Sequence, residues 1–163
     1  ILDISRIESH RLKLRWGKVT LKELIQNSIN DLEFAIKDRK QTITVKNLDD
    51  LPKISGDQEQ LHKAFNNLLS NAIKYTPDKG KISISANPTH IEKTSQTKNN
   101  KEQKKSARFV EIMITDTGIG IAKEEQEHIF DKFYEALPTE THSTSNKSYP
   151  MPHKKYVIGK TLT

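Results

Sequence analysis

The sequence predicts a domain of the α/β class, because segments of helical and strand periodicity alternate along its 163 residues. No stretch reaches about 18 consecutive apolar residues, so no membrane segment is expected in this chain. The absence of cysteine excludes disulfides and thiolate chemistry. Helices are indicated at 20–37, 57–75 and 123–136, and strands at 42–45, 81–85, 109–115 and, more weakly, 156–158.

Two of the predicted helices carry sequence signals for their first turn. Thr20 and Glu23 have the spacing of a capping box, in which each side chain satisfies a backbone N–H of the other residue. Asp57 is expected to cap the next helix, with Gln60 three residues later.

The helix at 57–75 is expected to have two distinct sides. Its apolar residues cluster on a core side formed by Leu61, Phe65, Leu68 and Ala72. At about 100° per residue, a second side about 120° away collects Asn67, Asn71 and Lys74, with Tyr75 nearby. A solvated polar surface is the reading that this pattern favours by itself. The alternative is a site for Mg²⁺ and phosphate, because an amide oxygen is a hard neutral ligand and a lysine offers a positive point charge.

A glycine-containing segment follows the strand at 109–115. Its residues are Asp116-Thr117-Gly118-Ile119-Gly120-Ile121. An acidic residue at a strand end can accept a hydrogen bond from an amino group such as that of adenine, and glycines allow positive φ and close approach to a ligand. An ordinary turn is the alternative. A dinucleotide fingerprint and a phosphate-binding loop are excluded, because neither a third spaced glycine nor a Gly-Lys-Ser/Thr sequence follows.

The net charge of +6 is concentrated in residues 93–108, which carry five Lys and one Arg against one Glu. This segment is predicted to be a mobile hairpin loop, since it has hardly any apolar residue to bury. Nucleic acid is not an expected partner, because no aromatic side chain is interleaved with the charge to stack on bases.

In their order along the chain, four motifs resemble those of sensor histidine kinases. Residues 67–77 resemble the N box almost letter for letter, residues 116–121 the first glycine box, residues 129–134 the F box, and residues 2–8 the end of the second dimerisation helix. The resemblance divides the chain into a dimerisation-helix tail at 1–15, an ATP-binding domain at 16–137, and an atypical lid region or tail at 138–163 that is expected to be poorly ordered.

The resemblance implies the Bergerat fold, a two-layer α/β sandwich with a mixed, mostly antiparallel sheet and helices on one face. The implied cofactors are ATP and Mg²⁺. Asn71 would coordinate Mg²⁺, with Asn67 as a second candidate ligand. Lys74 would contact the phosphates, Tyr75 would lie against the nucleotide, and Asp116 would bind the adenine amino group. The remaining implied ATP-binding residues are Gly118, Gly120 and Ile121 in the glycine box, and Phe130 and Phe133 at the base of the lid.

The resemblance also implies a mechanism and partners. Relatives that hydrolyse ATP have a glutamate where this chain has Asn67, and an amide cannot act as a general base, so ATP would be held without ready hydrolysis. The phosphoacceptor histidine is not in this chain, and no catalytic residue is assigned. A cytoplasmic homodimer joined through the dimerisation helices, acting on a response-regulator receiver domain in a two-component system, is expected. No second glycine box follows Gly120, which keeps open a degenerate interaction module that does not bind ATP.

Overall fold

The computed structural model describes residues 13–96, 102–121, 126 and 154–161, in which six strands form one sheet. The strands are β1 (Gly17–Val19), β2 (Thr42–Lys46), β3 (Ile54–Gly56), β4 (Lys81–Gln96), β5 (Glu102–Asp116) and β6 (Lys154–Thr161). The helices with described bounds are α1 (Leu21–Asp31), α2 (Glu33–Asp38) and α3 (Gln58–Tyr75).

The sheet is mixed and mostly antiparallel, as predicted. Its strand order is β1-β3-β6-β5-β4-β2, and only the edge pair β2–β4 is parallel. A parallel pair needs a long crossover connection, and here α3 lies within the connection from β2 to β4. The end of α3 therefore leads directly into β4, the neighbour of the edge strand β2.

One face of the sheet is buried and the other is partly solvated. The alternate residues Ile82, Ile84 and Ala86 of β4 are completely buried, whereas their neighbours Ser83 and Ser85 are not. Strand β5 repeats this alternation with Val110, Ile112 and Ile114. The buried side chains of the helices join the same core, which includes Leu24, Ile25, Phe65 and Leu69. The described helices therefore cover one face of the sheet, and the predicted two-layer α/β sandwich is confirmed.

The predicted cap of α3 is present. Asp57 lies at the N-cap, where its Oδ1 accepts a hydrogen bond from the backbone N–H of Gln60 at 3.1 Å. Its Oδ2 accepts another from the backbone N–H of Arg15 at 2.7 Å. The hydrogen bonds from Arg15 and then Gln60 lower the pKa of the Asp57 carboxyl, because they stabilise its ionised form.

The buried side of α3 differs in detail from the predicted one. Phe65 and Ala72 are buried as expected, but Leu61 and Leu68 are only partly buried. The remaining buried positions are Leu69 and Ile73. The stripe is displaced because α3 packs against both α1 and strand β5, so its buried surface is wider than one helical stripe.

Two predictions for the helix expected at 20–37 were wrong. Thr20 is the N-cap residue of α1, but its side chain makes no capping hydrogen bond. The segment is also two helices rather than one, because the chain departs from helical geometry at Leu32. There the backbone N–H of Leu32 bonds to the carbonyl of Ile29, three residues back, which tightens the end of α1.

The basic segment is more regular than predicted. Strands β4 and β5 pair from Ile82↔Asp116 to Gln96↔Glu102, so the described residues of the segment 93–108 lie in a two-stranded β-ribbon. Pairing of β2 with β4 ends at Ser85, and pairing of β6 with β5 begins at Phe109. Beyond those points the two strands pair with each other and with no other strand of the described residues. The sequence of this segment is polar and charged, and residues of that kind are depleted in strands, so no strand was predicted here.

Part of the predicted C-terminal tail belongs to the sheet. Strand β6 contains the predicted strand at 156–158 and lies between β3 and β5, antiparallel to both. The short strands β1 and β3 were not predicted from the sequence. Each has only three residues, too few to show an alternating pattern.

Candidate functional site

Two sequence motifs meet at the C-terminal end of α3. The backbone N–H of Ile119 donates a hydrogen bond to the carbonyl of Tyr75 at 3.3 Å. A Cβ atom added at Gly118 would lie 2.6 Å from that same carbonyl oxygen and 2.5 Å from Oδ1 of Asp116. Only glycine fits here without a backbone shift, because one of the two nearest atoms is the main-chain oxygen of Tyr75. The glycine segment is therefore packed directly against the end of the helix.

Asp116 ends β5 and is half-buried, opposite Ile82 of β4. Its Oδ1 accepts a hydrogen bond from the backbone N–H of Gly118 at 2.9 Å. Thr117 fixes the strand end through two contacts with Lys81. Its N–H donates to the Lys81 carbonyl at 3.0 Å, and its Oγ1 accepts from the Lys81 N–H at 2.9 Å. The Asp116 carboxylate is thus held in place by the backbone of the glycine segment.

Gly120, the second glycine of the segment, is required by its backbone conformation rather than by a close contact. Gly120 has a φ of 74°, a left-handed conformation that L side chains rarely adopt. The carbonyl of the next residue, Ile121, accepts a hydrogen bond from Nε2 of Gln126 at 2.9 Å. Ile119, between the two glycines, is an exposed apolar side chain. The backbone after Asp116 therefore turns sharply and leaves an apolar residue at the surface.

The polar side of α3 faces solvent. Asn67, Asn71 and Lys74 are all exposed, and they lie away from the buried stripe of the helix. The Nζ of Lys74 is 5.0 Å from the centroid of the Tyr75 ring, within the range of a cation–π interaction. Asn67 and Asn71 are one helical turn apart, so both carboxamides project from the same side.

The structure brings some of the predicted site residues together and leaves others untested. Tyr75 contacts Gly118 and Ile119 directly, and Asp116 joins them through its bond to Gly118. Asn71 and Lys74 belong to the last two turns of the same helix. The predicted lid residues Phe130 and Phe133 lie outside the described residues, as does the predicted dimerisation-helix tail up to residue 12. Their roles remain predictions.

A magnesium ion fits the donor chemistry of α3. Within the described part of the chain, no group of three or more His, Cys, Asp or Glu side chains is placed to hold a metal. The carboxamide oxygens of Asn67 and Asn71 are neutral hard donors, and Mg²⁺ is commonly held by few protein ligands together with phosphate oxygens and waters. These two residues would hold such an ion jointly with a bound triphosphate rather than alone.

Sequence reasoning missed the residues that hold the end of α3. Arg39 and Gln41 donate side-chain hydrogen bonds to the backbone carbonyls of residues 73, 74, 76 and 77. Thr76 is almost completely buried beside them. No local pattern could have identified these contacts, since they join positions more than 30 residues apart.

A separate open cleft of about 640 Å³ lies between α1 and the first turns of α3. It is lined by polar and charged side chains, namely Asn27, Asn30, Asp31, Gln58, Glu59 and His62. None of the predicted site residues lines it. It lies at the opposite end of α3 from Tyr75 and is therefore distinct from the site described above.

A one-sided two-layer sandwich, with an acidic glycine segment against the end of its long helix, defines the Bergerat class of ATP-binding fold. The model of the histidine kinase-, DNA gyrase B-, and HSP90-like ATPase family matches residues 56–149, more than half of the chain. The chain belongs to this family, and its domain is of the ATP-binding catalytic type found in sensor histidine kinases. The alternative of a degenerate module is not favoured.

Known sensor proteins are similar over most of this chain. Drug sensory protein A of Synechocystis is 32% identical over 98% of the chain and 23% of its own length. The adaptive-response sensory kinase SasA of Thermosynechococcus vestitus is 32% identical over 80% of the chain and 30% of its own length. The chain therefore spans less than a third of these relatives.

Solved histidine kinases share the fold. The structure of histidine kinase ThkA in complex with response regulator protein TrrA aligns with a TM-score of 0.57 at 23% identity, over 82% of this chain and 36% of that one. Acinetobacter baumannii histidine kinase AdeS aligns with a TM-score of 0.54 at 20% identity, over 77% of this chain and 53% of that one.

Among the described residues, no helix is both long and apolar enough to cross a bilayer.

Proposed function

We propose that this chain presents Mg-ATP for phosphoryl transfer to a histidine on the dimerisation domain of a two-component sensor kinase. The observation that carries the proposal is the contact between Tyr75 and the segment Gly118–Ile119. It joins the N box and the glycine box, whose contacting residues are more than 40 positions apart in sequence, into one surface. A polar helix side without such a neighbour would be an ordinary solvated surface.

The proposed roles divide the site into two ends. Asp116 accepts a hydrogen bond from the adenine amino group, and the glycine backbone lies along the base. At the other end, Lys74 contributes a positive charge to the phosphates, and Tyr75 lies against the nucleotide. Asn71, together with Asn67, holds Mg²⁺, which when bound neutralises phosphate charge and orients the terminal phosphoryl group.

The chemistry required of this domain is positioning rather than bond activation. Phosphoryl transfer depends mainly on alignment and on charge stabilisation, which the proposed residues supply. Asn67 carries an amide, which cannot accept a proton from water at neutral pH. ATP would therefore be kept for the acceptor histidine instead of being hydrolysed.

The partners are part of the same proposal. The protein would act in the cytoplasm as a homodimer joined by dimerisation helices, and would pass phosphate to the receiver domain of a response regulator. One solved structure that shares this fold is a complex of a histidine kinase with a response regulator protein. No nucleic-acid partner is proposed.

The proposal is tested by titrating the protein with a non-hydrolysable ATP analogue, with and without Mg²⁺, and measuring heat of binding and melting temperature. A ligand bound only by the native state raises the melting temperature. We expect Mg²⁺ to strengthen binding in the wild type. Asn71→Ala should lose most of this Mg²⁺ dependence while retaining the fold.

Ser70→Ala is the matched control, because Ser70 is also exposed on α3 but lies outside the proposed polar set. It should bind the analogue as the wild type does. No heat of binding and no thermal shift at millimolar analogue would contradict the proposal. Equal effects of Asn71→Ala and Ser70→Ala would contradict the assigned role of Asn71.

A further inference from the structure

Two side chains from the segment after α2 hold the C-terminal end of α3. Arg39 donates from Nη1 to the carbonyls of Ile73, at 2.6 Å, and Lys74, at 2.9 Å. Its Nε also pairs with Oδ1 of Asp78 at 3.0 Å. Gln41 donates from Nε2 to the same Ile73 carbonyl at 3.0 Å.

Gln41 extends this contact to the turn after the helix. The same Nε2 lies 2.7 Å from the carbonyl oxygen of Thr76 and 3.3 Å from that of Pro77. The Gln41 side chain is buried, with the residue only 8% exposed. A buried amide that faces three carbonyl oxygens allows little freedom in the path of the chain between Ile73 and Pro77.

Every backbone carbonyl from residue 72 to residue 77 has a donor. The last carbonyls of a helix lack partners within the helix and must be satisfied from elsewhere. Ala72 receives the N–H of Thr76, and Pro77 receives the N–H of Gly80. Arg39 and Gln41 supply residues 73, 74, 76 and 77, while the carbonyl of Tyr75 is left to the N–H of Ile119.

The backbone around Arg39 and Gln41 is itself fixed. Lys40, between them, has a φ of 52°, and the N–H groups of Lys40 and Gln41 bond to carbonyls of α2 at 3.0 Å each. This is the left-handed turn that commonly ends a helix. The carbonyl of Arg39 accepts from Lys79, and the N–H of Thr42 donates to Gly80. The segment is therefore tied to both sides of the turn that follows α3.

We propose that Arg39 and Gln41 are positioning residues for the ATP site. They fix the end of α3 so that the Tyr75 carbonyl meets the N–H of Ile119. Neither residue touches the nucleotide in this arrangement. The inference rests on the proposed function of the site and deepens it, because it explains how the two ends of the site are kept in register.

Replacing either residue would affect the site because it would leave backbone carbonyls at the end of α3 without a donor. Without Gln41, the buried carbonyl of Thr76 would have no side-chain donor, and a buried carbonyl tends to move until it finds a partner. Movement of the Thr76 peptide would shift the adjacent Tyr75 carbonyl away from Ile119. Arg39 adds a positive charge beside the C-terminal end of α3, where the helix dipole favours a cation.

The test uses Arg39→Met and Gln41→Glu, with Lys37→Met as the matched control. Gln41→Glu keeps the size of the side chain but replaces the donor by an acceptor. Lys37 is an exposed cation of α2 whose only described ion pair is with Glu33. Amide hydrogen exchange is measured without nucleotide, and the dissociation constant of the Mg²⁺-bound ATP analogue is measured at a temperature where every variant is folded.

We expect the Ile119 amide to exchange about tenfold faster in both variants, because its local opening becomes easier. The amide of Ile84, in the middle of the sheet, should exchange at the wild-type rate, which separates a local effect from general destabilisation. The analogue should bind about tenfold more weakly, a loss of about 1.4 kcal/mol. Arg39→Lys should bind the analogue more tightly than Arg39→Met but less tightly than the wild type. The lysine ammonium keeps the positive charge but lacks the planar set of N–H donors of the guanidinium.

Two results would overturn the positioning role. In the first, Ile119 exchange and analogue affinity change no more than in Lys37→Met. In the second, exchange at Ile119 accelerates while the affinity stays at the wild-type value. If the wild type itself bound no analogue, the proposed function would fall, and the role in ATP binding would fall with it. A wild type that binds, with variants that bind equally well, removes the positioning role alone.

Discussion

Oδ1 of Asp116 accepts a hydrogen bond from the backbone N–H of Gly118 at 2.9 Å, two residues further along the chain. This bond fixes the orientation of the carboxylate at the end of β5 before any ligand arrives. A preorganised group loses less conformational freedom on binding than a mobile one. In the proposed role, the other carboxylate oxygen would accept the hydrogen bond from the adenine amino group.

Replacing Asp116 by Asn should weaken nucleotide binding without disturbing the fold. An Asn side chain can still accept from Gly118 through its oxygen, but it presents an NH₂ group where the nucleotide needs an acceptor. Losing a hydrogen bond to a charged group costs about 1.5–3 kcal/mol. We therefore expect the dissociation constant of the ATP analogue to rise about 10- to 100-fold, measured by calorimetry.

Glu111→Gln provides the comparison for Asp116→Asn, because it neutralises another carboxylate of β5 that lies on the strand before the glycine segment. It should leave the affinity near the wild-type value. A dissociation constant that is unchanged in Asp116→Asn would show that this carboxylate does not contact the base.

Gly118→Ala should damage both the fold and the site. The added Cβ would lie 2.6 Å from the backbone oxygen of Tyr75, so the main chain must move. Overpacking of this kind costs about 1–3 kcal/mol, and it would separate Ile119 from Tyr75. We expect a lower melting temperature and analogue binding weakened by about tenfold or more.

Gly17→Ala is the matched control, since a Cβ at Gly17 has nothing within 4 Å. Its melting temperature and its affinity should stay close to those of the wild type. Wild-type affinity in Gly118→Ala would mean that the close approach to Tyr75 is irrelevant to the nucleotide.

The sequence predicted best the features that depend on neighbouring residues. The cap of α3 was recognisable because Asp57 directly precedes the helix and its side chain needs only a backbone N–H three residues later. The exposed row of Asn67, Asn71 and Lys74 followed from helical periodicity alone. These are local relationships, so a single sequence is sufficient to find them.

Features that depend on contacts between distant segments escaped prediction. Arg39 and Gln41 bond to backbone carbonyls more than 30 residues away. Every residue has a backbone carbonyl, so residue types do not show which carbonyls accept these bonds. The central strand β6 has few residues of strand periodicity, and its place in the sheet follows from pairing with β3 and β5. The capping box at Thr20 failed because a matching sequence does not by itself form the side-chain bond.

The stability of the domain should fall in acid partly through Asp57. The hydrogen bonds from Arg15 and Gln60 hold the pKa of this carboxyl below its usual value of 3.8, so the ionised form favours the native state. That contribution is fully present above pH 3.8 and is lost as the pH falls through the lower native value. We expect the midpoint of urea unfolding to decline more steeply below about pH 4 in the wild type than in Asp57→Asn.

Asn is also a good N-cap residue, so Asp57→Asn keeps an acceptor for the first turn of α3 while removing the titration. Asp50→Asn serves as the control, because Asp50 is exposed in a loop and caps no helix. A difference between wild type and Asp57→Asn that does not vary with pH would contradict this assignment.

Removing the basic β-ribbon should leave nucleotide binding intact. Replacement of residues 90–108 by an Asn-Gly turn would join Thr89 to its register partner Phe109 with a two-residue hairpin loop. The ribbon begins about 25 Å along β5 from Asp116, counted at about 3.3 Å per residue, and it pairs with no other strand. We expect the dissociation constant of the ATP analogue to change by less than about twofold, because a 25 Å separation exceeds the Debye length at physiological salt.

A second variant separates the charge of the ribbon from its shape. Changing Lys93, Lys98, Lys101, Lys104 and Lys105 to Gln keeps the length of the hairpin and removes most of the excess positive charge of the chain. Both variants should bind the analogue like the wild type at physiological salt, where the charges of the ribbon are screened from the site. Weaker binding in the Gln variant at low salt alone would mean that the ribbon attracts the nucleotide electrostatically. Equal weakening in both variants at every salt concentration would instead mean that the ribbon reaches the site itself.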